Sequence, residues 1–426
     1  MTTADFDEPE MPGAEPEATP WPERPAAELQ ERDARVEADK IGDLAASAGI
    51  RRVHALAWRD LDDVEAGGSE VHIDEIAKRW AAAGVEVTLR TSWAQGQPTE
   101  AVRDGYKVIR RAGRYMVFPR AAAAELAGRT GPRDALIEIW NGMPFLSPLW
   151  CRGPRIVFLH HVHAEMWGMT LPPGLAKWGE LLESKIAPPL YGRTHIVTLS
   201  ESSKHEMVED LGFRPDKVSV VHPGIDPRFT PGTDEQRSTE PLMVAVGRLA
   251  PVKRYDLLVR AAAQARRQVP GLRLHIVGDG YERPVVEAAI DEVGGQDWVT
   301  LRGYLSDAEL IDLYREAWIV SSASAREGWG MTLTEAAACG TPAVATRIAG
   351  HSDAVVDGVS GVLARVDGDV EANLAEALVD VLGDPRRLAQ LRQGALARAA
   401  ALTWGQTATQ VMRILAAEVS RRRGRT

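Results

Sequence analysis

From residue 51 onward the apolar positions fall into two alternating textures. A β-type run at residues 53–58 leads into a polar loop at 59–69. A helical stripe follows over 70–83, with Val71, Ile73, Ile76, Ala77 and Trp80 recurring at three- and four-residue spacing. Gly84 ends that helix, and a second β-type run occupies 85–90. Strand, helix and returning strand form a βαβ unit, which implies a parallel sheet. Further β-type runs lie at 106–110, 135–140, 155–160, 195–199 and 218–222, with helical patterns at 175–187 and 201–211. Together they predict one open α/β domain over residues 51–232. Residues 226–239, rich in Pro, Gly, Thr and charge, read as the interdomain linker.

A second series starts at Leu242. Its strands are predicted at 242–246, 272–277, 299–302, 318–321, 343–346 and 361–364. Helical patterns separate them near 253–268, 282–293, 307–316, 332–339 and 370–382. Two more follow at 384–400 and 404–423. The fold class is therefore α/β: two Rossmann-like domains, 51–232 and 233–403, with a cleft between them, and a closing helix over 404–426. In open parallel sheets ligands bind beyond the carboxyl ends of the strands, so the loops at those ends are expected to face the cleft.

Composition changes this picture mainly at the ends. Residues 1–50 carry 13 Asp/Glu against 4 Lys/Arg, a net of −9, so the remainder of a chain of charge −10 is nearly neutral. Residues 1–50 read as an acidic, Pro-rich tail, disordered at least over 1–25, where apolar content is too low to offset chain entropy. Residues 26–47 have helix-forming composition with a thin apolar stripe: a marginal helix or part of the tail. No basic excess favours nucleic acid. The end holds Arg421, Arg422, Arg423 and Arg425, a solvated basic terminus or a contact for an anionic membrane surface. Two cysteines, Cys151 and Cys339, make no disulfide framework. No apolar run is long enough to span a membrane, and the N-terminus is unlike a signal peptide. The expected location is cytoplasmic, with peripheral contact at the inner face of the membrane as an option.

Candidate chemistry clusters at the predicted strand ends. Residues 321–340 place Glu327 and Glu335 eight positions apart around a Gly328-Trp329-Gly330 turn, ahead of a helix. A helix start after a glycine loop aims backbone N–H groups at an anion. Thr332-Leu333-Thr334-Glu335 also matches a capping box, which gives Glu335 a purely structural reading. Gly67-Gly68-Ser69-Glu70 opens the first helix, as a ligand loop or as a tight turn capped by Ser69. Gly247, Arg248 and Lys253 follow the first strand of the second domain, where a pair of fixed cations suits a departing diphosphate. Gly278 and Asp279 end the next strand; the glycine suggests close approach to a ligand, and Asp279 is more simply read as a cap of the following helix. His160, His161 and His163 cluster without further ligands at metal spacing, so no metal site is predicted. Hydrogen bonding to a polar substrate is the better reading for the cluster, with His161 an ordinary loop histidine.

Taken together, these motifs resemble the retaining glycosyltransferases of family 4, which have the GT-B fold. The resemblance covers residues 51–423. Its most specific part is Glu327 to Glu335 running into Ala336, Ala337, Cys339, Gly340, Thr341 and Pro342, similar to the family's E-x7-E segment. Gly247-Arg248 with Lys253, the Val277-Gly278-Asp279-Gly280 turn, His222-Pro223-Gly224-Ile225-Asp226 and Gly67-Gly68 also match. The chain departs from the family at Ala349-Gly350-His351-Ser352-Asp353, where GGxxE is usual.

The resemblance implies a retaining glycosyltransferase that moves a sugar from a nucleoside-diphosphate sugar to a hydroxyl acceptor. The acceptor would be a glycan, a lipid-linked sugar or a small molecule, and the product an α-glycoside. By the same resemblance Arg248 and Lys253 bind the diphosphate, Glu335 receives the ribose hydroxyls and Glu327 contacts the transferred sugar. Backbone N–H groups near Gly330, Met331 and Thr332 face sugar and phosphates, Gly68 closes from the opposite domain, either His160 or His163 stands by the sugar, and the closing segment from Trp404 packs back on the first domain. Neither a bound cofactor nor a metal is expected. The competing readings are a non-catalytic sugar-nucleotide-binding protein and a sugar-nucleotide epimerase on the same fold.

Overall fold

The computed structural model describes residues 27–164, 166–170 and 173–424. Two parallel sheets carry the chain. The first contains β1 (Arg52–Leu56), β2 (Glu86–Thr91), β3 (Glu100–Arg103), β4 (Tyr106–Arg110), β5 (Ala135–Trp140), β6 (Arg155–Leu159), β7 (His195–Thr198) and β8 (Val218–Val220), in the order β3-β4-β2-β1-β5-β6-β7-β8. Only the β3–β4 pair is antiparallel. The second contains β9 (Leu242–Val246), β10 (Arg273–Val277), β11 (Val299–Gly303), β12 (Ile319–Ser322), β13 (Ala343–Thr346) and β14 (Gly361–Ala364), ordered β11-β10-β9-β12-β13-β14 and parallel throughout. The central strands are buried along their length, as in β5 and β6, because helices cover both faces.

The edge strand β3 lies outside the sequence expectation. Its four residues, Glu100 to Arg103, are exposed or half-buried and show no apolar run, and it is joined to β4 by Asp104-Gly105, both at positive φ. That turn conformation suits a tight hairpin.

The closing helix Trp404–Arg423 belongs to the first domain's core. It buries Val411, Met412, Leu415 and Val419 beside Trp80, whose indole Nε1 donates to Ala408 O at 3.0 Å. Residues 26–47, open from sequence between a marginal helix and part of the tail, hold a helix, Ala27–Ser47, that packs along this closing helix, which corrects the extension of the tail to residue 50. Ile41, Ala45 and Ala48 are buried there, so a thin apolar stripe is enough when the closing helix, with the helix Gly68–Ala82 beside it, supplies the partner surface. The tail reading of residues 1–26 lies outside the described residues.

The basic end is also occupied. Arg421 and Arg422 pair with Glu418, Arg422 donates to Arg152 O, and Arg423 donates to Ala48 O at 2.6 Å and to Gly49 O at 3.3 Å. Arg423 thus satisfies carbonyls just past the end of the first helix. Among the described residues no helix is long and apolar enough to cross a membrane.

Candidate active site

The carboxyl ends of both sheets face one another, and the loops there bring most of the predicted residues together. After β9, Gly247 turns with φ +149, and its N–H donates to Val277 O at 3.0 Å. Gly278 follows β10 so closely that a β-carbon there would lie 2.1 Å from Gly247 O, which only glycine permits. Asp279 spends its carboxylate locally: Oδ1 accepts from Gly280 N at 2.7 Å and from Arg283 Nε at 3.1 Å. Asp279 does not cap the following helix, Arg283–Glu292, whose N-cap is Glu282 without a side-chain bond; its carboxylate holds the turn before that helix instead.

Lys253 ends a single turn, Pro251–Lys253, tied to the Glu327 loop by Ala325 N donating to Val252 O at 2.8 Å. Its ammonium donates to Glu327 Oε1, which also accepts from Ser324 Oγ at 2.9 Å. Burial acts to raise the Glu327 carboxyl, but the charges of Lys253 and His351 and the hydrogen bonds from Lys253 and Ser324 outweigh it. Glu327 is therefore held below the ordinary carboxylate value and is ionised at neutral pH. His351, which sequence reasoning did not single out, lies 1% exposed under this turn; its Nδ1 is 2.9 Å from Thr346 O and its Nε2 has no described partner.

Arg248 reaches across the cleft, donating from Nη2 to Glu65 O at 2.7 Å, beside Gly67. Gly67 is the N-cap of the helix Gly68–Ala82, and Glu70 Oε2 accepts from its N–H at 2.8 Å. Ser69 is not the cap, because the helix already starts at Gly68; its Oγ accepts from Asn141 Nδ2 at 3.1 Å instead. Gly68 faces the second domain: a β-carbon there would sit 3.1 Å from Met331 Sδ.

The capping-box expectation at Thr332 is overturned. Gly330, at φ +107, is the N-cap of the helix Met331–Ala338, so Thr332 is already the second helical residue and Glu335 the fifth. A residue inside the helix cannot cap its start. Leu333 and Thr334 N–H groups return to Gly330 O, while Met331 and Thr332, the first two residues of the helix, have no preceding carbonyl within it to receive their N–H groups. The Glu335 carboxyl, free of any capping bond, is pushed up to about 7 by burial and by the charges of Asp226 and Asp307.

The histidines separate into three roles. His160 is buried, its Nε2 3.1 Å from His72 Nδ1, and burial next to His72 lowers its basicity well below the ordinary value. His163 lies with Nδ1 3.5 Å from Glu183 Oε1 and its ring against Trp167. Glu183, on a π-helical turn (Leu182–Ile186), accepts from the N–H groups of His163 and Ala164 and from Trp167 Nε1, pinning this loop. His161 is the ring that meets the second domain: a β-carbon on Gly328 would lie 3.5 Å from its Nδ1, and Glu327 acts on it electrostatically. Burial and neighbouring His163 lower it to about 3, so it is neutral. Nothing local distinguishes His161 from His160 beside it or His163 two residues on.

A model of glycosyl transferases group 1 matches residues 231–398, and one of glycosyltransferase family 4 matches residues 66–229. A D-inositol 3-phosphate glycosyltransferase of Stackebrandtia nassauensis is 36% identical over 404 residues, covering 84% of this chain and 88% of that protein. This chain is a group 1 glycosyltransferase. A relative of the same description from Thermomonospora curvata is 30% identical over 82% of this chain and 90% of its own. The fold of this glycosyltransferase is shared with a sucrose-phosphate synthase from Thermosynechococcus elongatus, at TM-score 0.75 and 19% identity over 85% of this chain and 98% of that one. HepE of Anabaena, solved with UDP and glucose, superposes at TM-score 0.67 and 18% identity over 86% of this chain and 100% of its own. These likenesses identify the two-domain architecture as GT-B.

Proposed function

We propose that this glycosyltransferase takes its sugar from a nucleoside diphosphate and passes it to a hydroxyl acceptor with retention of anomeric configuration. The observation that carries the reading is the convergence, on one stretch of cleft, of Arg248, the paired Lys253 and Glu327, and the N-terminus of the helix Met331–Ala338. Two fixed cations and a helix start suit a diphosphate that gains charge as it leaves. Glu335, half-buried and free of capping duty, is placed one helical turn further on, where a carboxylate suits ribose hydroxyls. His161 and ionised Glu327 flank the position left for the sugar.

Arg248 and Lys253 supply the charge stabilisation that a divalent cation provides in other transferases, so the reaction is expected to run without metal or cofactor. Retention follows if acceptor attack and diphosphate departure share one face, with catalysis mainly from positioning and charge stabilisation. Structures of HepE with UDP and with UDP-glucose support uridine as a first nucleotide to try. The names of the relatives support an inositol phosphate, or a similar small polyol, as a first acceptor.

The test is a panel of nucleotide sugars with and without inositol 3-phosphate and simple glycan acceptors, in the presence and absence of EDTA. Nucleotide release that needs an acceptor, with an α-linked product by NMR, is expected. Formation of an isomeric nucleotide sugar without acceptor would replace transfer by epimerisation, and loss of activity in EDTA would overturn metal independence.

A further inference from the structure

The loop after β13 touches both domains at once. Asp353, from the second domain, lies against the first helix turn of Glu201–Glu209 in the first domain. Its Oδ1 accepts from Glu201 N at 2.8 Å, and its Oδ2 accepts from Ser202 N at 3.2 Å and Ser202 Oγ at 2.5 Å. Gly350 N donates back to Ser202 Oγ at 2.9 Å. This helix already has its own cap, Ser200, whose Oγ accepts from Ser203 N at 3.1 Å. The carboxylate from the other domain therefore takes the N–H groups that the local cap leaves over, at the end of the helix where negative charge is favoured.

The same loop supports the sugar-side carboxylate. Gly350 is packed so tightly on the Glu327 turn that a β-carbon would lie 2.6 Å from Glu327 O and 2.7 Å from Trp329 N. His351, the next residue, lies under Glu327 and is fixed to Thr346 O. Thr346 Oγ1 donates to Ser324 O at 2.7 Å, and Ser324 Oγ donates to Glu327. Behind the loop, Arg398 donates to Asp353 O at 2.7 Å and lies over the Trp329 ring at 5.6 Å. On the other side of Glu327, Arg326 pairs with Glu206 of the same first-domain helix at 3.2 Å and donates to Val162 O at 2.8 Å.

Glu327 thus sits between two grips on one first-domain helix. We infer that Asp353 is a positioning residue for sugar transfer: by docking the Glu201–Glu209 helix it holds the Glu327 turn against His161, so that the transferring geometry forms only when the two domains are closed. The inference rests on the reading of Glu327 as the sugar-side carboxylate. Asp353 touches no reacting atom in this scheme and acts through the loop it anchors.

The experiment uses the full chain with Asp353→Asn, Asp353→Glu and, as an independent cut of the same contact, Ser202→Ala. Asparagine keeps one acceptor but turns an amide donor toward a second N–H donor. Misplacement by about an ångström costs up to about a hundredfold, so kcat for Asp353→Asn is expected to fall about tenfold to a hundredfold, with KM for the nucleotide sugar changed less than about threefold. Asp353→Glu, which keeps the charge, recovers part of the loss. Interdomain distance is read in parallel with fluorophores on Leu126→Cys and Val285→Cys, which are exposed, since Cys151 and Cys339 are buried. Asp353→Asn and Ser202→Ala shift the distance distribution toward longer values without lowering the melting temperature. Wild-type kcat in both variants, or a loss of kcat with an unchanged distance distribution, overturns the inference. A wild-type protein that transfers no sugar defeats the functional reading instead, while the distance measurement still decides whether Asp353 closes the domains.

Discussion

Arg248 Nη2 and the Glu65 carbonyl oxygen meet at 2.7 Å across the cleft, so the cation proposed to bind the diphosphate is also a tie between the domains. Among the described residues Lys253 makes no such tie; its ammonium pairs with Glu327 in the same domain. The two cations therefore fail differently when removed. Losing one fixed charge from a site of developing negative charge costs about 2.7–4 kcal/mol, or roughly a hundred- to a thousandfold in kcat. Lys253→Ala should show that loss together with a raised Glu327 pKa, because its main counter-charge is gone. Arg248→Ala should show the loss with Glu327 unchanged. Steady-state kinetics with a nucleotide sugar, and NMR titration of Glu327, separate the two. Transfer at wild-type rate in either variant would remove that residue from the diphosphate site.

Glu335 gives a pH signature of definite sign. Its folded value, about 7, lies above the ordinary value of 4.5, so the folded state holds its proton over a range where the unfolded chain has lost it. The stability this contributes is fully present below about 4.5 and is lost as pH rises through about 7. Binding runs the other way: ribose hydroxyls donate most strongly to the ionised carboxylate. Affinity for a nucleotide sugar, whose diphosphate does not titrate near 7, should rise by up to about tenfold between pH 6 and 8. Glu335→Gln should flatten both profiles. Calorimetric titration at several pH values checks this, and an unchanged slope in the glutamine variant would assign the pH dependence elsewhere.

The three histidines predict three distinct phenotypes. His161 is neutral and faces Gly328 and Glu327, so His161→Ala should lower kcat/KM by about tenfold or more, the worth of one hydrogen bond near the sugar, with little change in stability. His160→Ala should instead destabilise the first domain by about 1–3 kcal/mol, since it strands the buried His72 Nδ1. His163→Ala should loosen a loop that Glu183 still holds through two backbone N–H groups, a smaller effect on both measures. Urea melts and kinetics on the three variants sort them; a catalytic loss confined to His160 or His163 would return the sugar contact to that residue.

The order in which these features became legible has physical causes. Parallel strands are buried on both faces, so they read as plain apolar runs, and the strand-end loops then followed from topology. Arg248, Lys253, Glu327 and Glu335 were visible because their chemistry and spacing are local. The capping box was misread because Gly330 and Thr332 compete for the same helix start, and only the positive φ of Gly330 decides between them. His161 was passed over because facing direction among adjacent loop residues depends on Glu183, twenty residues away in a π-helical turn. The edge strand β3 carried its signal in Asp104-Gly105 rather than in its own residues. His351 and Asp353 act through contacts more than twenty residues distant in sequence, which no local pattern encodes.

The helix Ala27–Ser47, which the sequence left open between a marginal helix and part of the tail, yields the sharpest stability test. Its buried positions are few, so each carries much of the docking. Ile41 is 1% exposed against the closing helix, whereas Val36 is 44% exposed one turn earlier. Truncating a buried isoleucine to alanine costs about 2–5 kcal/mol, while an exposed valine should change stability by less than about 0.5 kcal/mol. Arg423→Ala should add a smaller loss, about 0.5–1.5 kcal/mol, because two carbonyls at the end of the first helix lose a charged donor but stay close to water. Denaturant unfolding of the three variants measures all of this directly. If Ile41→Ala unfolds at the wild-type midpoint, the segment does not contribute to the folded domain, and the tail would begin near residue 50 after all.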